Sequence, residues 1–223
     1  MLRCLLKQMP LSLGSLETRF NARLNTLDAA FNRSAAIRNS ARRSDRSFLQ
    51  EGLVSVLWQS WCVAVRGLLI ASVRGAATKS GALTLSPHAA LSEPELAYIA
   101  SKKAKGHPVG AIKPLAGAHL EPTWGDLNKV GLIASGYGLS NGPQLATALA
   151  SPSSLADLQI CRNACAHLNM DRVIDVQSSR IRYSNTSFMH PSDMVFWVDP
   201  TSSDFLWRTW TDEMRLAVDL AAR

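Results

Sequence analysis

The chain has 223 residues, of which 47% are hydrophobic, and a formal net charge of +7. This apolar content supports a sizeable core and excludes global disorder, and the length favours a single domain over residues 1–223. The positive charge favours a polyanionic partner, although an excess of this size is common.

Neither a CxxC motif nor a second Cys/His pair at zinc-finger spacing accompanies the four cysteines. We therefore expect reduced, mostly buried thiols in a cytoplasmic protein. The first residues, Met1 to Leu6, lack the long apolar region and cleavage site of a signal peptide. The sequence has no HExxH motif and no Cys/His cluster, so we expect no metal and no cofactor.

An amphipathic helix is predicted from Leu13 to about Arg38, because apolar residues recur there at spacings of three and four. Its far end is rich in arginine, and Arg38 and Arg42 are one turn apart on one helical face. This basic end is either a solvated surface or a contact for RNA phosphates.

A second helix is predicted from about Phe48 to Arg74 and is apolar on nearly all sides. Its apolar stretch is almost long enough to span a membrane, but Gln59 and Arg66 lie inside it. We therefore expect a core helix and no membrane partner. Trp58 and Trp61 are expected in the core rather than as platforms for nucleobases.

Glycine and proline recur from about residue 75 to residue 122, which predicts a loop-rich basic insertion with one short helix at Glu93–Lys103. No acidic residue occurs between Leu96 and Leu120. The insertion is interpreted either as a solvated loop or as a flap that guides RNA. Its candidate RNA-binding residues are Lys102, Lys103 and Lys105.

The rest of the chain also follows the helical period, and strand alternation is almost absent, so the predicted fold class is all-α. Only the segment from Val173 to Phe196 is ambiguous: the helical pattern continues to Arg182 and then gives way to a loop. Ser154 and Asp157 form a weak capping-box pattern. The further predicted helices are Asp126–Ser135, Pro143–Ala150, Leu155–Asn169 and Ser203–Ala222.

The helix at Leu155–Asn169 contains the most informative motif, Arg162-Asn163-Ala164-Cys165-Ala166-His167. Gln159, Asn163 and His167 are four apart and are expected on one face, with Arg162 at its flank. An arginine holds a phosphate with two charge-assisted hydrogen bonds, and a histidine moves protons near neutral pH. The opposite, apolar stripe is Leu155, Leu158, Cys161, Cys165 and Leu168.

This spacing alone has low specificity, since about one such Arg–His match is expected by chance, and a polar helix face with a surface histidine is the alternative. Cleavage that uses a ribose 2′-hydroxyl requires both a base and an acid, and the motif holds one histidine. A second copy of the motif, from a dimer partner, would supply the second of these two groups.

The run from Cys161 to Asn169 resembles the RNxxAH segment of the HEPN superfamily of nucleases, in particular its RiboL-PSP-like branch. Glu121-Pro122-Thr123-Trp124, Leu139-Ser140-Asn141 and His190-Pro191-Ser192-Asp193 are also similar to that family. The resemblance implies a helical bundle, a homodimer with a composite site at its two-fold interface, and metal-independent RNA cleavage. It further implies a place in bacterial defence or a toxin–antitoxin system, with an antitoxin or sensor as partner protein.

On this interpretation Arg162 binds the scissile phosphate, and His167 is the general base or acid. Asn163 orients either the phosphate or the histidine. The alternative is a non-catalytic helical module that binds RNA or assembles with a second defence protein. A DNA-binding helical protein is less well supported, because no clear helix-turn-helix is present.

Overall fold

A computed structural model of the protein describes residues 12–37, 42–167 and 169–223. Most of these residues are helical, and β-structure among them is limited to isolated bridges, so the all-α prediction is confirmed. The α-helices of the described part are α1 (Leu13–Ala36), α2 (Arg43–Val73), α3 (Glu93–Ala104), α4 (Leu127–Gly136), α5 (Gly142–Ala150), α6 (Leu155–Ala166), α7 (Met170–Ser179) and α8 (Leu206–Ala222). Short 3₁₀ segments occupy Ala118–Leu120, Arg180–Arg182 and Pro191–Phe196.

Helix α1 packs along α2 and α8 and buries the apolar stripe predicted for it. The ring of Phe31 stacks on the ring of Trp207 in α8, with centroids 5.0 Å apart. The helix ends at Ala36, slightly before the predicted end. Arg38 lies outside the described residues, so its predicted position one turn from Arg42 stays a prediction.

Helix α2 is the central element and contacts α1, α6, α8 and the segment Pro191–Phe196. Trp58 and Trp61 are buried in the core, as predicted, and are therefore not available to stack on nucleobases. Among the described helices, α2 alone is long and apolar enough to cross a membrane. Half of its apolar window is buried by the protein itself, which is the arrangement expected of a core helix.

Helix α3 lies inside the predicted basic insertion and packs on α4. Its start is a capping box in which Ser92 and Glu95 bond each other's backbone and side chains. Leu96 and Ile99 are fully buried, and the Tyr137 hydroxyl donates to the Leu96 carbonyl oxygen (2.9 Å). The helical part of the insertion is therefore built into the core, and the loop 105–123 that follows it is mostly exposed.

The motif helix α6 is shorter than predicted, because it ends at Ala166 rather than at Asn169. Asn169 instead caps the next helix, α7, by accepting a hydrogen bond from the Arg172 backbone N–H (3.0 Å). Leu168, which was predicted in the apolar stripe of α6, lies outside the described residues.

The capping box predicted from Ser154 and Asp157 is wrong. The backbone N–H and the hydroxyl of Ser154 both donate to Glu213 of α8 (3.0 and 2.7 Å). Asp157 is buried and accepts hydrogen bonds from Ser179 and Tyr183, and it pairs with Arg182. These tertiary partners satisfy a buried carboxylate more completely than the end of its own helix would.

Candidate functional site

Arg162 and Asn163 lie next to each other on α6, and both are half-buried. The Arg162 Nη1 group donates a hydrogen bond to the Asn163 side-chain oxygen, Oδ1, over 3.1 Å. With Oδ1 engaged in this way, the Asn163 amide nitrogen is left as a donor. The two side chains therefore present N–H groups and one positive charge, which is a suitable surface for an anion.

Cys62 of the central helix α2 is within electrostatic range of Arg162. Burial raises the pKa of the Cys62 thiol to about 11, and the backbone of Gly125 and the charge of Arg162 oppose this increase. Helix α6 packs on α2, and the charge of Arg162 therefore acts on the Cys62 thiol across this contact.

The loop 121–126 forms the wall of the site next to Cys62, and it is anchored to α2 by hydrogen bonds from Arg66 and Trp61. Arg66 Nε donates to Glu121 Oε2 (3.0 Å), and Trp61 Nε1 donates to the Gly125 carbonyl oxygen (3.1 Å). A Cβ atom on Gly125 would lie 2.5 Å from Trp61 Cδ1 and 2.9 Å from Cys62 Sγ, so only glycine permits this approach.

Glu121 remains ionised in this wall. Burial raises its pKa, but the hydrogen bonds from Arg66 and Trp124 together outweigh burial and hold the pKa below its usual range. The sequence pattern indicates the segment that starts at Glu121 but does not by itself identify Arg66 as the partner of Glu121. The available signal was Arg66 itself, because an arginine in the middle of an apolar helix requires an acidic partner.

His167 is not on the helix where it was predicted. Its φ and ψ angles of −138° and 72° are not helical, and it follows the last helical residue, Ala166. Its backbone N–H donates to the Asn163 carbonyl oxygen (2.9 Å), and its side chain is exposed. Within the described residues the imidazole makes no hydrogen bond. The predicted alignment of Gln159, Asn163 and His167 on one helical face is therefore wrong.

A second histidine, His190, is held in the segment that packs between α2 and α6. The Ser192 backbone N–H donates to His190 Nδ1 (3.3 Å), so Nε2 carries the hydrogen that faces Glu51 Oε1 (3.2 Å). The Ser192 hydroxyl lies 2.9 Å from Nδ1 but is completely buried. A carboxylate, a histidine and a serine are thus aligned, but a substrate cannot reach the serine. The arrangement serves as a cap for Pro191–Phe196.

The predicted RNA-binding arginine of the α1–α2 connection is far from Arg162. Arg42 is the residue that precedes α2, and Cys62 follows it by twenty positions, which places them about 30 Å apart along the helix. Arg42 can therefore contact only a distant part of any RNA held at Arg162.

The three candidate lysines of the insertion do not act as one group. Lys102 and Lys105 line a cavity whose opposite wall is Glu121–Thr123, at the start of the loop that reaches Cys62. Lys103 instead packs its aliphatic chain on Gly136 of α4, where a Cβ atom would come within 2.4 Å of Lys103 Cγ. Lys102 and Lys105 are therefore better placed than Lys103 to meet a ligand.

In the described ranges, no group of three or more His, Cys, Asp or Glu residues could hold a metal ion. What the site offers chemically is an anion-binding pair, Arg162 and Asn163, with an exposed imidazole four residues beyond Asn163. Comparison of the chain with family models, curated proteins and solved structures gave no match.

Proposed function

We propose that the protein is a metal-independent endoribonuclease of the HEPN type, acting in bacterial defence or a toxin–antitoxin system. The observation that carries this proposal is the Arg162–Asn163 pair, because its positive charge and N–H donors suit a phosphodiester. The resemblance of the run from Cys161 to Asn169, which contains this pair, to the HEPN segment also supports the proposal.

In the proposed reaction, Arg162 binds the scissile phosphate and stabilises the charge that develops on its oxygens. A histidine takes the proton of the ribose 2′-hydroxyl, whose oxygen then attacks phosphorus. The bond from phosphorus to the 5′ oxygen breaks, and a second acid protonates the leaving oxygen. The products are a 2′,3′-cyclic phosphate and a 5′-hydroxyl end.

The second acid would come from a second copy of the chain. His167 is exposed and lies at the end of α6, so two α6 helices that meet across a two-fold axis would bring two copies of His167 to one phosphate. An antitoxin or a sensor protein would regulate this dimer in the cytoplasm.

Incubation of the purified protein with total RNA in EDTA tests the reaction class. We expect cleavage in EDTA and products that carry a cyclic or 3′-phosphate. Products with 3′-hydroxyl ends, or loss of cleavage in EDTA, would contradict the mechanism.

Mixed dimers test the composite site. One tagged wild-type chain is co-expressed with a differently tagged Arg162→Ala/His167→Ala chain, and the heterodimer is isolated by tandem purification. A site built from both chains predicts strong impairment of the heterodimer, whereas independent sites predict half the wild-type activity.

One observation favours the non-catalytic alternative, an RNA-binding or scaffold module of a defence complex. In the described part of the chain, no side chain orients the His167 imidazole, and a general base is normally oriented by a partner. Such a module would bind RNA through Arg162 and leave it uncut.

A further inference from the structure

The cavity beside α3 is a candidate ligand site separate from Arg162. It has a volume of about 510 Å³ and lies between α3, the loop 107–123 and Lys129 of α4. This volume is within the usual range for sites that bind small molecules. We propose that the cavity binds a nucleoside phosphate.

The lining of the cavity carries an excess of positive charge. Three lysines, Lys102, Lys105 and Lys129, face one carboxylate, Glu121. Lys129 is neutralised by Asp126 (2.6 Å), and Glu121 is itself occupied by Arg66. Lys102 and Lys105 have no acidic partner among the described residues. Two uncompensated ammonium groups therefore remain for a phosphate.

Two imidazoles, those of His107 and His119, add hydrogen-bond donors to the same wall. The ring of His119 rests on the backbone at Gly117, where a Cβ atom would lie 2.8 Å from His119 Nδ1. Glycine at this position lets the ring fold back against the loop. The ring therefore lies close to the loop backbone, on the wall of the cavity.

The remaining wall suits a nucleobase. Tyr98, Leu115 and Pro122 supply aromatic and apolar surface. The Lys102 ammonium lies 5.6 Å from the centre of the Tyr98 ring. A nucleotide whose phosphate is bound by Lys102 would therefore have its base close to this ring. Stacking on an aromatic ring tolerates any base, and the lysines would recognise the phosphate.

This chemistry fits a free nucleotide or the terminal nucleotide of an RNA, and isothermal titration calorimetry distinguishes them. The probes are AMP, GMP, CMP, UMP, adenosine, and a trinucleotide with or without a 5′-phosphate. We expect at least one phosphorylated probe to bind more tightly than its counterpart without phosphate. Binding of the mononucleotides alone would identify a free nucleotide, and binding of the 5′-phosphorylated trinucleotide alone would identify an RNA end.

The Lys102→Gln/Lys105→Gln variant tests the assignment to this cavity. It should weaken binding about tenfold or more, because two charge-assisted contacts are lost. The matched control is Lys103→Gln, one residue away but packed on Gly136. Gly117→Ala, which displaces His119, should weaken binding while circular dichroism melting verifies the fold.

The cavity assignment depends on Lys102 and Lys105 and not on Arg162, so failure of the ribonuclease proposal would leave this proposal intact. Failure of every phosphorylated probe to bind would overturn it. Equal weakening by Lys103→Gln and by the double variant would overturn it as well.

Discussion

The Arg162 guanidinium donates a hydrogen bond to the Asn163 side-chain oxygen over 3.1 Å. This bond fixes the orientation of the amide, so its oxygen faces Arg162 and its nitrogen remains available as a donor. In the proposed function, Asn163 would act on the phosphate through this oriented donor rather than through charge.

Replacing Asn163 by Asp tests this orientation. The new carboxylate would pair with Arg162 and compete with the phosphate, so we expect single-turnover cleavage to fall about 10²-fold or more. Asn163→Ser should have a smaller effect, because it removes a donor without adding a negative charge. If Asp and Ser variants cleave RNA equally well, the amide does not face the phosphate.

The electrostatic effect of Arg162 on Cys62 has a readout that is independent of RNA. With a pKa of about 11, only about a thousandth of Cys62 is thiolate at pH 8, against about a quarter of an ordinary cysteine. Alkylation by iodoacetamide, followed by peptide mass spectrometry, should therefore be slow.

Arg162→Ala removes a charge that lowers the Cys62 pKa, so it should slow alkylation further, whereas Arg162→Lys should preserve the wild-type rate. Identical alkylation rates in the Ala variant and the wild type would place Arg162 away from Cys62.

Gly125→Ala tests the close approach of the loop 121–126 to α2. The added methyl group would meet Trp61 and Cys62, and we expect it to lower the free energy of unfolding by about 1–3 kcal/mol. The control is Gly131→Ala in α4, where the nearest atom, Ala146 Cβ, is 3.9 Å away. This control should be neutral or stabilising by up to about 1 kcal/mol, because alanine favours the helix. Equal urea midpoints for the two variants would show that the loop has room to move.

The ion pair between Arg66 and Glu121 should make stability depend on pH. The folded pKa of Glu121 is below its usual range, so its contribution is present above the unfolded pKa of about 4.3 and is lost as the pH falls through the lower folded value. Glu121→Gln should cost about 1 kcal/mol at pH 7, because it removes one of the two carboxylates that pair with Arg66 and leaves the pair with Glu93 in place.

Urea denaturation from pH 7 to pH 3 measures this dependence. The difference between wild type and Glu121→Gln should shrink as the pH approaches 3. A difference that stays constant over this range would mean that the carboxylate does not ionise differently in the folded protein.

The sequence predicted the helices in which buried apolar residues recur at regular spacings of three and four. Helix α1 repeats its apolar residues from Leu13 to Phe31, about five turns, and the start of α3 is marked by Ser92 and by Pro94 in its first turn. These signals act over three or four residues, so they can be recognised without knowledge of the tertiary structure.

The end of α6 could not be predicted in the same way. The periodic pattern continues past His167, but Asn169 caps α7 and stops α6 at Ala166. Asp157 likewise matches a cap locally but is bound by Ser179 and Tyr183, which are more than twenty residues away. Whether a polar side chain bonds to a neighbour in its own helix or to a distant residue depends on tertiary packing. A short stretch of one sequence does not show that packing.

RNA cleavage by matched single variants tests the central claim most directly. Arg162→Ala and His167→Ala are compared with Arg172→Ala, an exposed arginine of α7, and His88→Ala, a histidine outside the motif, on the same RNA in EDTA. Circular dichroism melting verifies that all four variants are folded. Our account predicts that each motif variant loses about 10²–10⁴-fold in single-turnover rate while the controls cleave normally. Wild-type cleavage by His167→Ala would contradict the assignment of a nuclease site to this motif and would favour the RNA-binding module.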